Sequence, residues 1–132
     1  MKLQLLLCAP LCVLLSSCGG DLGCGMIGMT VLPANATAGH NAAPPGNAVQ
    51  FFAAPVNPGA CPAPANIPVA LLRPNWSVSD AVNVSISNTQ DATNGTATCL
   101  NATAASVTVT ATLPKSPTQN KTFVATAKLR CN

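Results

Sequence analysis

The stretch Asn75-Trp76-Ser77-Val78-Ser79-Asp80 runs into Val82-Asn83-Val84-Ser85-Ile86 and then, past a turn, into Gly95-Thr96-Ala97-Thr98-Cys99. Apolar and small polar residues alternate along it with a period of two, which is the pattern of strands that bury one face. The turn ends in Asn94-Gly95, a pair that readily takes the positive-φ conformations of a hairpin. Trp76 is the only tryptophan of the chain and is read as the centre of a core. Two short strands closed on each other around one aromatic predict an antiparallel β-sandwich.

Working outward, further strands are expected at Met26–Pro33, Val49–Ala54, Thr96–Leu100, Ala105–Thr112 and Thr122–Leu129. Val69–Leu72 leads through Arg73-Pro74 into the Trp76 strand, and Val82–Ser87 follows it. Ala38–Asn47 reads as a loop, because Gly39, Pro44, Pro45 and Gly46 break any ladder. Pro55–Pro68 carries five prolines in fourteen residues and reads as an irregular excursion at one end of the sandwich. Strict alternation puts Val107 and Val109 on one face of their strand and Thr108 and Thr110 on the other. The count comes to about seven or eight strands, with no internal repeat.

These same phrases resemble the bacterial immunoglobulin-like group 2 domain, in which a W-S-S-S-D-type strand is followed by V-x-I and a G-x-A-T strand. Val31-Leu32-Pro33-Ala34-Asn35-Ala36-Thr37 is similar to the end of that family's first strand, and Val49-Gln50-Phe51-Phe52-Ala53 to its second. The resemblance implies an all-β, immunoglobulin-like β-sandwich of about seven antiparallel strands over residues 24–132. It also implies that Asp80 accepts backbone N–H bonds in the turn after the Trp76 strand. Such domains are usually spacers or adhesion modules repeated within larger surface proteins, whereas a single copy is read here.

Of the 132 residues 48% are hydrophobic and only 7% charged, and much of the apolar share is alanine and valine. Small and β-branched residues suit pleated strands, and the scarcity of Leu, Glu and Lys beyond residue 20 argues against helix. With no tyrosine, the core is expected to rest on Phe51, Phe52, Trp76 and Phe123 with Val84, Ile86, Val107 and Val109. So small a core gains from covalent staples. The formal charge is +3, and Arg73, Lys115, Lys121, Lys128 and Arg130 are scattered. Scattered cations without interleaved aromatics make no phosphate-tracking stripe, so nucleic acid is not an expected partner.

The first residues read as an address. Met1-Lys2 is a positive start, and Leu3–Leu15 is an apolar run of thirteen residues, too short to span a bilayer as a helix. Leu15-Ser16-Ser17-Cys18 closely resembles the bacterial lipobox. By that resemblance residues 1–17 are a cleaved signal, Cys18 is the lipidated first residue, and 18–23 form a short tether. Acyl chains on Cys18 would hold the protein to the membrane permanently. Asp21 does not directly follow Cys18, which favours the outer membrane by the sorting behaviour of such lipoproteins.

Setting aside Cys18 and the two leader cysteines, four remain: Cys24, Cys61, Cys99 and Cys131. An even number in an exported chain favours disulfides, and four cysteines allow three pairings. If strand direction alternates from first to seventh, Cys24 and Cys61 fall at one end of the sandwich, and Cys99 and Cys131 at the other. The expected pairs are therefore Cys24–Cys61 and Cys99–Cys131. No two thiols are close enough in sequence to suggest zinc.

Residues for chemistry are few. His40 is the only histidine, and Asp21, Asp80 and Asp91 are the only acids, too little for a triad, a metal site or a well-placed carboxylate pair. No enzymatic activity, cofactor or metal is expected. Six Asn-x-Ser/Thr sequons, at Asn35, Asn75, Asn83, Asn94, Asn101 and Asn120, follow from a composition rich in Asn and Thr. The leading expectation is a non-catalytic, lipid-anchored cell-envelope protein whose domain serves adhesion, protein binding or envelope structure. The alternative is a carbohydrate-binding surface module. An exposed Phe or Trp would favour a glycan partner, and a long unprotected edge strand would favour assembly with an envelope protein by strand addition.

Overall fold

A computed structural model describes residues 26–56, 72–115 and 120–132. The leader, Cys18, the tether, Cys24 and Cys61, with the pairing expected of the last two, lie outside the described residues, as does most of the proline-rich excursion. Nine strands are present among the described residues: β1 (Gly28–Leu32), β2 (Asn35–Ala38), β3 (Ala48–Gln50), β4 (Phe52–Val56), β5 (Asn75–Val78), β6 (Val84–Ile86), β7 (Thr96–Cys99), β8 (Val107–Leu113) and β9 (Phe123–Cys131). None of the described residues is helical.

Three ladders result. β2-β9-β8-β5 form a four-stranded sheet, β3-β7-β6 a three-stranded one, and β1-β4 a pair. Only Phe51 separates β3 from β4, so one continuous segment serves both smaller ladders. The fold is all-β with several antiparallel sheets around a shared core, consistent with a β-sandwich.

The core is small in its side chains. Phe51, Val84, Ala97, Val109, Ala111 and Leu129 are fully buried, and Val31, Ala53, Trp76, Val107 and Ala127 nearly so. β8 buries Val107, Val109 and Ala111 and turns Thr108 and Thr110 partly outward. Phe123 is also buried, whereas Ile86 is half-buried and packs against the core from its margin. Phe52 departs from the expected core and is 42% exposed. Adjacent strand residues point to opposite faces, so with Phe51 facing in, Phe52 must face out.

The strand count and directions also differ from expectation. The expected first strand closes at Pro33 as β1, which pairs antiparallel with β4, but a further strand, β2, follows in the stretch up to Thr37 likened to the end of the first strand and pairs parallel with β9 in the four-stranded sheet. Pro33 has no N–H for a ladder, so the β1 ladder ends there, and the chain bends through Pro33 and Ala34 before β2 begins. The predicted second strand is two, because the chain changes partner at Phe51, from β7 to β1. β4 continues through Pro55 to Val56, beyond the expected end at Ala54. It lies in a two-stranded ladder at a sheet margin, where a strand admits proline.

Candidate functional site

Trp76 is where the sheets and the long β6–β7 connection meet. Its indole Nε1–H donates to Asn94 Oδ1 at 2.9 Å, which satisfies the one polar atom of an otherwise buried ring. Its backbone is held from the side by Asn88: Trp76 N–H donates to Asn88 Oδ1 at 2.6 Å, and Asn88 Nδ2 donates back to the Trp76 carbonyl at 2.9 Å. One carboxamide thus occupies the outer edge of β5 as a neighbouring strand would. Asn94 Nδ2, on the other side of the carboxamide, is buried without a hydrogen-bond partner among the described residues.

Gly95 lets the connection come this close. It has a φ of 85°, and a Cβ there would stand 2.5 Å from the Phe51 carbonyl oxygen and 2.9 Å from Trp76 Cε2. The turn is longer than the two-residue hairpin that Asn-Gly suggests: Gly95 N–H donates to the Ser87 carbonyl, closing Asn88–Asn94 as a loop. Gln50 fastens the loop to β3, donating to the Asn94 carbonyl at 2.7 Å and accepting from Thr96 Oγ1 at 2.5 Å.

Against this loop lies a shallow recess of about 80 Å³, bounded by Gln50, Phe52, Leu72, Arg73, Trp76 and Asp91, among others. Its rim carries the exposed Phe52 ring and two opposite charges. Arg73 Nη1 donates to the Asp91 carbonyl at 3.3 Å. Asp91 Oδ1 accepts from Thr93 N–H at 2.7 Å and Thr93 Oγ1 at 2.6 Å. The Thr93 hydroxyl, then its N–H, hold the Asp91 carboxyl below its usual pKa range, and Arg73 adds to this. Leu32, directly opposite Phe52 in the β1–β4 ladder, is 51% exposed and extends the apolar rim.

The other residues singled out by sequence are elsewhere. Cys99 and Cys131 form a disulfide with Cα atoms 5.7 Å apart, joining the end of β7 to the end of β9. His40 is half-buried, and its Nδ1–H donates to the Asn132 carbonyl at 2.5 Å. Asp80 Oδ1 accepts from the N–H groups of Val82 and Asn83, and Oδ2 from Asn83 Nδ2 at 2.7 Å. Those bonds, led by the Asn83 side chain, lower its pKa. Asp80 thus organises the β5–β6 turn, and Asp91 the β6–β7 loop. Among the described residues no three His, Cys, Asp or Glu side chains are grouped to hold a metal.

The sequence reading places Phe52 in the core and so does not show the recess, although two consecutive aromatics in a strand cannot both face inward. The approach of Arg73 to Asp91 across eighteen residues leaves no local pattern to read. In comparisons with known proteins, no family model and no curated protein matches the chain.

Proposed function

We propose that this protein is a non-catalytic, lipid-anchored envelope protein whose immunoglobulin-like domain binds a partner outside the membrane. The lipobox-like Leu15-Ser16-Ser17-Cys18 supports the anchor and, with Asp21 set back from Cys18, an outer-membrane address. The immunoglobulin-like topology is supported by the layout of the ladders. β1 and then β2 serve different ladders, and β5, β8 and β9 lie side by side in the four-stranded sheet that β2 joins. The observation that carries a binding role, over that of a spacer, is the open recess with Phe52 exposed on its rim and Leu32 exposed beside Phe52. Large apolar side chains held at the surface next to fixed polar groups are the usual make-up of a recognition site.

Two measurements test this. Growth with labelled palmitate should mark the wild-type chain and leave Cys18→Ser unmarked; equal labelling of both would remove the anchor. The oxidised Cys18→Ser chain, immobilised and exposed to the envelope fraction, should retain a partner that Phe52→Ala releases. Retention no better than that of an unrelated sandwich would return the domain to a spacer or structural role.

A further inference from the structure

The composition of the recess indicates the class of ligand. Its rim is an aromatic ring continued by Leu32, an apolar surface with no hydrogen-bonding capacity. Beside it stand the Arg73 guanidinium, whose Nη1 reaches the Asp91 backbone carbonyl at 3.3 Å, and the Asp91 carboxylate on the same loop. Arg73 has five N–H donors and spends one on that contact. Asp91 uses Oδ1 on Thr93, and Oδ2 has no hydrogen-bond partner among the described residues. A matching ligand has one apolar face and an adjoining edge that both donates and accepts.

A simple anion fits poorly, because Asp91 repels it, and a simple cation meets Arg73. A purely apolar ligand would strip water from both charges without replacing their hydrogen bonds, which is costly. A pyranose satisfies each requirement. The C–H groups of one ring face lie on an aromatic, while one of two neighbouring hydroxyls donates to a carboxylate and the other accepts from a guanidinium. Hydrogen bonds of this kind to ionised partners are stronger than neutral ones.

We infer that the Phe52–Arg73–Asp91 recess is a subsite for a neutral saccharide, the sugar ring lying on Phe52 and its hydroxyl edge between Arg73 and Asp91. This rests on the binding role proposed above and names the ligand for it. The shallow volume of about 80 Å³ admits the edge of one residue of a glycan whose remainder stays in solvent. The partner is then a glycan chain rather than an enclosed small metabolite.

The chain supplies its own reporter: Trp76 bounds the recess and is the sole tryptophan, with no tyrosine to obscure its emission. The full chain, produced through the export route and kept in a non-glycosidic detergent, would be screened on an array of neutral hexose and N-acetylhexosamine oligosaccharides. Hits would then be titrated by Trp76 fluorescence and calorimetry. Expected is a saturable hit weakened roughly tenfold or more by Phe52→Ala and by Arg73→Ala. Val124→Ala, an exposed apolar residue of β9, should leave it unchanged. Both test positions are exposed, so loss of folding is not expected, and unchanged thermal unfolding would verify this. No hit, or a hit indifferent to both substitutions, overturns the saccharide subsite. Capture of an envelope protein through Phe52 without any glycan hit also overturns it while leaving the binding role standing. Failure of both experiments removes the two together.

Discussion

Gly95 carries the tightest steric constraint of the described glycines. Its φ of 85° lies in the left-handed region, and any Cβ would meet the Phe51 carbonyl and the Trp76 ring well inside van der Waals contact. Neither neighbour can yield cheaply, one being backbone and the other a buried indole. Gly95→Ala should lower the unfolding free energy by roughly 2–5 kcal/mol, the sum of backbone strain and overpacking. Gly28→Ala is the control, since a Cβ there meets Val56 at an ordinary 3.5 Å, and the urea midpoints should separate the two clearly. A second residue-scale prediction concerns acid. Asp80 and Asp91 have folded pKa values below their ordinary ones because their carboxylates accept hydrogen bonds. Asp91 is exposed and Asp80 only half-buried, so each effect is small. The sign is fixed: stability from these bonds is present above the ordinary carboxylate pKa and is lost as pH falls through the depressed folded value. Asp80→Asn should flatten the acid limb of a stability–pH curve. An unchanged limb would mean that the Asn83 and Val82 bonds contribute nothing in solution.

At the scale of the elements, β5 depends on a side chain for protection. It is an end strand of the four-stranded sheet, only four residues long, and Asn88 closes both hydrogen-bonding groups of Trp76 on its outer edge. Open strand edges invite pairing with other chains, and occupying them is a common defence. Asn88→Ala should cost about 1–3 kcal/mol, because the Trp76 N–H and carbonyl are left in a partly buried place without partners. The Trp76 amide should also exchange with solvent faster than its neighbours in β8, and sedimentation should reveal self-association through the freed edge. Intact protection of that amide would show that Asn88 is not its guard. This arrangement bears on what was readable. The strands β7, β8 and β9 stand out in sequence because Val107, Val109 and the residues around them alternate without interruption, and a half-buried strand demands no more. The change of partner at Phe51 is hidden because one nearly continuous segment runs through it, and Pro33 marks the end of β1 without showing that β2 starts beyond the bend at Pro33 and Ala34. Which neighbour a strand pairs with is decided by contacts distant in sequence, such as β2 with β9. The recess shares that origin: Phe52, expected in the core, faces out by alternation once Phe51 faces in, and Arg73 and Asp91 meet only because the β6–β7 loop folds back over Trp76.

At the scale of the molecule, three ladders enclose a core in which Ala38, Ala53, Ala97, Ala111 and Ala127 are as much a part as Phe51 or Leu129. Alanine allows the sheets to approach closely but removes little apolar surface from water, so burial alone stabilises such a domain weakly. The Cys99–Cys131 disulfide compensates. It ties the end of β7 in the three-stranded sheet to the end of β9 in the four-stranded one, across a sequence separation of 32 that contains all of β8. Thr103, itself buried, folds in beside it: Thr103 N–H donates to the Cys131 carbonyl at 2.9 Å, and Cys131 N–H donates to Thr103 Oγ1 at 3.1 Å. In the chain-entropy account, closing a loop of this length removes roughly 3–4 kcal/mol of freedom from the unfolded chain. That is a large part of the roughly 5–15 kcal/mol typical of a whole domain. The paired substitution Cys99→Ala with Cys131→Ala leaves small apolar groups in both buried positions and acts on this bond alone, whereas a reductant would act on every disulfide in the chain. It should lower the urea-unfolding free energy by about 3–4 kcal/mol and raise the m-value, because an unfolded chain without the cross-link exposes more surface. A loss below about 1 kcal/mol at constant m would mean that the unfolded chain already holds β7 near β9. The core, weak as its alanines make it, would then sustain the two sheets without a staple.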